Sequence, residues 1–377
     1  MLKIINTAQI LSHLVVGDGV GKVAIDIAVG LKTKGVITDF IILTGKHDSL
    51  KSVLENKGYQ VYLYNAHSSF KIKHFLSNIK TVFSLARQLK SKDYQIVQCH
   101  EYFAGTLGRL AALLAFNNIK ILQSYHNPDH WKKWPHNLID KILSYFTTAF
   151  TANSEAVKRF YIKTQKLDPQ KVIVIYNGID TRELVNIKPG NKGRKVVVGS
   201  IGRLAKQKGY TVLVSAAAIA LKQSADLEFV IYGPDGHITE TEKPEIERLK
   251  KSYGLNGSFT LKGQTSNIAE ALSQFDIFVA PSRWEGFGLA NVDPMAAGLP
   301  VVSTNVDAIP EVVEDGVTGL LVPPDDPQSL ADAIIKLCAD SDLRHKMGLA
   351  GRERARTLFD REIMAGKYHD LYKKVLK

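Results

Sequence analysis

Cysteine is almost absent. The 377 residues hold two, Cys99 and Cys338, far apart and matching no disulfide or metal-ligand spacing. That excludes a disulfide-built scaffold and fits a reducing compartment. No apolar run approaches the roughly 20 residues of a membrane span, and residues 211–221 fall far short of it. The opening Met1-Leu2-Lys3-Ile4-Ile5-Asn6 has no secretory h-region, so a cytoplasmic protein is expected. Internal repeats, low-complexity tracts, heptads and nucleic-acid-reading motifs are missing as well. Val16-Gly17-Asp18-Gly19-Val20-Gly21-Lys22 fails both as a Walker A loop and as a dinucleotide fingerprint.

What is present is ordinary globular composition, 45% hydrophobic and 23% charged, at a length that suits two domains. The charge is uneven. Residues 1–185 carry 24 Lys+Arg against 13 Asp+Glu, net +11, whereas residues 186–377 carry 25 against 24, net +1. The basic half is expected to approach an anionic surface, either membrane lipid or a lipid-phosphate acceptor, with the protein peripheral on the inner face of the cytoplasmic membrane.

Strand and helix patterns alternate through the first half, with strands at 2–8, 39–44, 58–63, 96–99, 119–124, 149–152 and 172–176 and helices at 20–34 and 72–89. In the second of these helices Ile72, Phe75, Leu76, Ile79, Phe83, Ala86 and Leu89 recur at helical spacing and predict its apolar face, opposite Lys71, Lys73, Lys80, Arg87 and Lys90. Residues 186–194 are polar and turn-rich and form the linker candidate. Strand patterns then resume at 196–201, 228–232, 258–261, 277–280, 301–304 and 319–322. This is an α/β pattern of two doubly wound, Rossmann-like domains, 1–185 and 195–357, with a cleft between them and ligands at the carboxyl ends of the strands. Residues 358–377 form a final helix.

One stretch organises the chain: Pro281-Ser282-Arg283-Trp284-Glu285-Gly286-Phe287-Gly288-Leu289. It follows a buried-strand pattern, and Gly286 and Gly288 let the backbone turn close to a ligand. The helical pattern after it stops at Gly298 and Pro300. Amides at such a helix start suit a phosphate. Glu285 makes sense there only if it faces a neutral polyol, and a phosphate beside a polyol is a sugar nucleotide. Gly202-Arg203-Leu204 with Lys208-Gly209 adds a forked donor and a point charge for a diphosphate leaving group.

These blocks resemble family four of the retaining GT-B glycosyltransferases. Glu285 and Asp293, eight apart around Gly-Phe-Gly-Leu, are similar to its E-x7-E signature. Asn177-Gly178-Ile179-Asp180, Ile309-Pro310-Glu311-Val312-Val313 and Gly319-Leu320-Leu321-Val322-Pro323 match further blocks. The resemblance implies a GT-B fold whose final helix crosses back to the first domain. It also implies a UDP- or GDP-sugar as co-substrate, retention of configuration, no cofactor and no metal. Glu285 would hold hydroxyls of the transferred sugar, and the amides of Gly286, Phe287, Gly288 and Leu289 the sugar and phosphate. Arg203 and Lys208 would take the diphosphate charge, Asp293 the ribose, Gly263 and Gln264 the base. Gly202 and the turn Gly233-Pro234-Asp235-Gly236 would line the nucleotide, and Gly19 would face the donor phosphate. Asp293 has a lesser alternative reading as an N-cap before Pro294, and Glu311 reads equally as a first-turn acid. Asp340-Ser341-Asp342 looks like the D-x-D of the other glycosyltransferase fold but reads as a helix cap.

For the acceptor, His126 matches a family histidine near the reacting sugar, and His100 and Glu101 end the preceding strand in the same way. Trp131 and Trp134, in Trp131-Lys132-Lys133-Trp134-Pro135-His136, read as acceptor or membrane contacts, because two lysines and a proline spoil a core reading. The expected function is sugar transfer to a glycolipid or lipid-linked polysaccharide precursor. A non-catalytic GT-B subunit scaffolding a partner transferase, motivated by Asp18 and Asp293, and a sugar-nucleotide epimerase are the alternatives.

Overall fold

Short apolar strands pair in parallel throughout, each buried on both faces by helices, which is why they read as hydrophobic runs rather than alternations. The computed structural model describes residues 4–15, 18–44, 50–68, 72–187, 195–224, 226–235 and 241–377. They form two compact units, Met1–Gly178 with Arg361–Lys377, and Ile179–Asp360. The linker candidate lies almost wholly outside the described residues, as do Lys71, the side chain of Lys73 and Gly236.

Unit 1 runs β1 (Ile5–Leu11), α1 (Gly19–Lys32), β2 (Val36–Ile42), α2 (Lys51–Asn56), β3 (Val61–Leu63), α3 (Ile72–Ser91), β4 (Ile96–His100), α4 (Tyr102–Leu114), β5 (Lys120–Tyr125), α5 (Trp134–Ser144), β6 (Ala149–Ala152), α6 (Glu155–Gln165) and β7 (Val172–Val174). The sheet order is β3-β2-β1-β4-β5-β6-β7. β1 sits three residues later than its apolar pattern predicts, because Gln9 continues the strand once its side chain finds buried partners. α3 corrects a second expectation. Its core face is Val82, Leu85, Ala86 and Leu89, while Phe75, Leu76 and Phe83 are exposed. Asn78 helps fix this roll, accepting from His67 N at 3.0 Å and donating to His67 O at 3.2 Å.

Unit 2 runs β8 (Val196–Ile201), α7 (Tyr210–Gln223), β9 (Leu227–Tyr232), α8 (Lys243–Ser252), β10 (Phe259–Gly263), α9 (Ile268–Ser273), β11 (Ile277–Ala280), α10 (Leu289–Ala297), β12 (Val301–Thr304), α11 (Ile309–Val312), β13 (Gly319–Val322), α12 (Pro327–Ala339) and α13 (Ser341–Leu358), in sheet order β10-β9-β8-β11-β12-β13. Asp340 caps α13, accepting from Leu343 N at 2.8 Å. The last helix, α14 (Arg361–Leu376), belongs to unit 1 and packs on α1. Gly30 permits that contact, since a Cβ there would lie 2.5 Å from the Ala365 methyl. No described helix is long and apolar enough to cross a membrane.

Strand order reverses between β1 and β4 in one sheet and between β8 and β11 in the other. In open parallel sheets, crevices for ligands form at the carboxyl ends beside such reversals.

Candidate active site

In unit 2 the loops after β8, β9 and β11 meet backbone to backbone. A Cβ on Gly233 would lie 1.9 Å from the Gly202 carbonyl, and one on Gly209, at φ +64°, 2.1 Å from that of Pro281. Arg283 ties the same loops together. Its amide donates to Gln207 O at 2.8 Å, and its guanidinium reaches Lys206 O at 2.7 Å, Glu242 at 2.8 Å and Asp325 at 2.7 Å. The result sets Lys208 against Glu285.

Lys208 Nζ bonds Glu285 Oε1, which also accepts from Ser282 Oγ at 3.0 Å. Glu285 N donates to Asp307 Oδ2 at 2.9 Å, with Asp307 held in the left-handed region at φ +43°. Both members of the pair are largely buried, and Oε2 has no protein partner among the described residues. Arg203 is exposed on the same sheet edge, with no ion pair among the described residues. The edge therefore pairs one carboxylate with one cation and keeps a second cation in reserve.

The other expected donor contacts fall as follows. Gly288, at φ +85°, occupies the N-cap place of α10, so Asp293 lies inside the helix and is no cap. It is four residues after Leu289, on the same partly exposed side. The Phe287 ring is buried edge-on against Phe359 at 5.6 Å and serves the core. Gly263 and Gln264 are exposed at the end of β10, two strands from β8. Glu311 stands in the first turn of α11.

In unit 1 a cavity of about 580 Å³ opens beside the β1/β4 reversal, its walls including Ser12, His13, Glu101, Tyr102, His126 and Trp131. Glu101 holds an uncommon φ of +60°, and burial raises its carboxyl above the usual range. Gly19 begins α1, but the Val20 and Gly21 amides behind it donate to Asp18 at 3.2 and 2.9 Å. His100 lies wholly inside the sheet rather than on the cavity wall, and Trp134 stands outside it on α5.

His100 instead supports His126. His126 Nε2 is 2.8 Å from His100 Nδ1, and His100 Nε2 is 2.5 Å from Gln9 Oε1. Gln9 Nε2 donates to the Tyr372 hydroxyl at 3.2 Å, which donates to Gln98 Oε1 at 2.5 Å, and Gln98 Nε2 donates to Ser124 Oγ at 2.8 Å. A carbonyl oxygen can only accept, so His100 carries its proton on Nε2 and His126 donates to its Nδ1. That leaves His126 Nδ1 bare, buried and without a protein partner among the described residues, on a residue that lines the cavity. Burial lowers the His126 pKa to about 4 and moves His100 down as well, so both rings are neutral near pH 7.

The Trp131 loop is fastened by the lysine beside it. Lys132, one of the two lysines that argued against a core reading, is buried, bonding Asp129 at 2.9 Å and Asp140 at 2.8 Å beneath the rings of Tyr102 and Tyr161. Asp140 also takes Arg109 and Gln165. Burial alone would raise its pKa, but Arg109 and Lys132 hold it below the ordinary value. The aromatic cage and the distant Asp140 make this cation affordable, and nothing local to residues 131–136 announces them.

Residues 181–354 match the family described as Glycosyl transferases group 1, and residues 17–183 match Glycosyltransferase Family 4. An alpha-maltose-1-phosphate synthase of Mycolicibacterium smegmatis is 30% identical over 312 residues, covering 74% of this chain and 79% of that protein. The chain belongs to glycosyltransferase family 4. A UDP-Gal:alpha-D-GlcNAc-diphosphoundecaprenol alpha-1,3-galactosyltransferase of Escherichia coli is 29% identical over 289 residues, 71% of this chain and 72% of that one. The crystal structure of Anabaena HepE in complex with UDP and glucose superposes with a TM-score of 0.82 at 20% identity, over 98% of this chain and 100% of the other. The two doubly wound units are thus those of a GT-B glycosyltransferase.

Proposed function

We propose that this glycosyltransferase moves a sugar, with retention and without a metal, from a UDP- or GDP-sugar to a hydroxyl of a lipid-linked saccharide. The observation that carries the reading is the Lys208–Glu285 pair at the strand reversal of unit 2, with Arg203 exposed in the loop after β8. Before donor binds, Lys208 neutralises Glu285. A nucleoside diphosphate competes for the ammonium and, with Arg203, draws it toward phosphate. Glu285 is then released to accept from sugar hydroxyls while Ser282 keeps it in place. As the bond from the anomeric carbon to the diphosphate oxygen breaks, the cations take up the charge of the departing group. The acceptor hydroxyl bonds to the anomeric carbon on the same face and passes its proton to the leaving diphosphate. Asp293, one turn along α10, is the candidate for the ribose diol.

The lipid-linked acceptor is supported by the basic first half and by the E. coli relative, whose name carries both UDP-Gal and a diphosphoundecaprenol acceptor. His126 Nδ1 offers a hydroxyl-bearing ligand an acceptor, since it cannot donate in the tautomer described. Two measurements test the function: UDP or GDP release on adding an undecaprenyl-diphosphate-linked sugar, and the anomeric configuration of the product by NMR. Acceptor-dependent release with retained configuration supports it. Inversion would overturn the mechanism, and conversion of donor with no acceptor would replace transfer by epimerisation.

A further inference from the structure

α5 is inside out. Its buried residues are Asp140 and Leu143, and Asp140 is the polar anchor to Arg109 and Lys132. Apart from Leu143 its apolar residues face outward: Trp134 is 74% exposed, Leu138 and Ile142 are exposed, and Tyr145, the residue just past its end, is 70% exposed. The spacing of four, four and three residues puts all of them on one stripe. α3 repeats the pattern, with Leu76 72% exposed beside Phe75 and Phe83. α4 packs between these helices and exposes Leu110 and Leu114. Right-handed crossovers from β3 through β4, β5 and β6 set α3, α4, α5 and α6 on one side of the sheet, so these stripes share a face.

The charge on that face is predominantly positive. Inside the four helices α3, α4, α5 and α6 the acids are Asp140, which is buried, and Glu155, while exposed Asp93 follows α3, Glu101 stands between β4 and α4, and Asp129 pairs with Lys132 in the loop before α5. Lys80, Arg87 and Lys90 are exposed on α3, Lys133 immediately before α5, and Arg159 and Lys163 on α6. A second copy of the chain would bring like charge against like charge. Apolar stripes carrying Trp and Tyr among lysines and arginines match the boundary of a lipid bilayer with anionic headgroups, where aromatic rings sit at headgroup level and cations meet phosphate.

We propose that the α3–α6 face of unit 1 docks on an anionic lipid bilayer, with the Trp134, Leu138, Ile142 and Tyr145 stripe of α5 entering the headgroup boundary. Trp131 lines the cavity and α5 begins three residues later, so docking holds the cavity mouth at the membrane surface. The proposal rests on the lipid-linked acceptor for its purpose but not for its evidence.

The test is co-sedimentation of the full chain with phosphatidylcholine vesicles, with and without phosphatidylglycerol. The wild type binds the anionic vesicles and its tryptophan emission shifts to the blue. Leu138→Ser/Ile142→Ser weakens binding more than about tenfold, and Arg159→Glu/Lys163→Glu weakens it and flattens its salt dependence. All these residues are exposed, so unchanged thermal melting and an unchanged stabilisation by UDP certify the fold. Failure of the wild type to bind, equal binding by the variants, or a wild-type dimer lost in Leu138→Ser/Ile142→Ser would overturn the proposal. Vesicle binding without stimulation of UDP release by the undecaprenyl-diphosphate-linked sugar would remove the lipid acceptor and leave docking standing.

Discussion

Lys208 and Glu285, 77 residues apart in sequence, close on each other across the point where the strand order of unit 2 reverses. Each is the other's counter-ion until something more negative arrives. On the proposed function a nucleoside diphosphate would redistribute both at once, the ammonium to phosphate and the carboxylate to sugar hydroxyls.

Lys208→Met and Glu285→Gln should each lower kcat/KM by roughly 100–1000-fold, the loss typical of one well-placed charge-stabilising group. A double-mutant cycle read by urea unfolding should show coupling of about 0.5–3 kcal/mol in the ligand-free protein. With saturating UDP the coupling should fall, because Lys208 has then changed partner. Coupling that UDP leaves untouched would make the pair purely structural.

The glycines separate into two kinds. Gly209→Ala forces a left-handed alanine and presses a methyl against the Pro281 carbonyl, so stability should fall by about 1–3 kcal/mol and donor affinity with it. Gly19→Ala meets nothing within 4 Å and should leave the melting temperature unchanged. A weaker donor affinity in Gly19→Ala would then report close approach of the phosphate to α1.

Acid should unfold unit 1 through its buried histidines. His126 titrates near 4 in the fold against an ordinary value of 6.5. Its neutral form is the folded one, so its contribution is complete above about pH 6.5 and is lost as pH falls toward 4. The loss approaches about 1.4 kcal/mol per pH unit in that window. His126→Asn should flatten the slope in urea titrations across the same range; an unchanged slope would place the acid sensitivity elsewhere.

Tyr372→Phe cuts the hydrogen-bonded chain between Gln9 and Gln98 at its middle. The amide of Gln9 is then freed to turn, and with it the tautomer of His126. Nitrogen-15 NMR of the wild type should show His126 protonated at Nε2, with the Nδ1 form appearing in the variant and KM for donor or acceptor rising more than kcat falls. A wild-type Nδ1–H signal would reverse the sense of the whole chain.

Lys132→Met strands Asp140 against Arg109 and unpins the Trp131 loop. Removing one partner of a buried ion pair costs about 3–5 kcal/mol, which chemical unfolding would register, and Lys132→Arg should recover only part of it.

Much of the fold was legible because parallel strands write themselves as unbroken apolar runs, and because Gly-Phe-Gly-Leu and Gly-Arg-Leu sit at strand ends where backbone geometry leaves little choice. Glu285 and Lys208 came through with those motifs. Their mutual pairing did not, since it depends on Arg283 stitching loops far apart in sequence. Gln9, Gln98 and Tyr372 looked like ordinary polar residues of a strand and a helix, and only their adjacency in space makes a chain of them. Phe75 and Leu76 had the right period for a core and the wrong roll, fixed in part by Asn78 bonding His67. Lys132 was misjudged for a similar reason: the Asp140 and tyrosine rings that neutralise and cover it come from other turns of the chain.

Gly178 leads out of unit 1, and Arg361 leads back in. On the ribosome the segment made first therefore cannot finish first: Ile179–Asp360 is continuous and can close its core early, while the β1–β7 sheet must wait for α14 to emerge. Until then Gln9 and Gln98 lack the hydroxyl that joins them, and the surface of α1 around Gly30 stays uncovered, the stretch of synthesis in which a chaperone has most to shield.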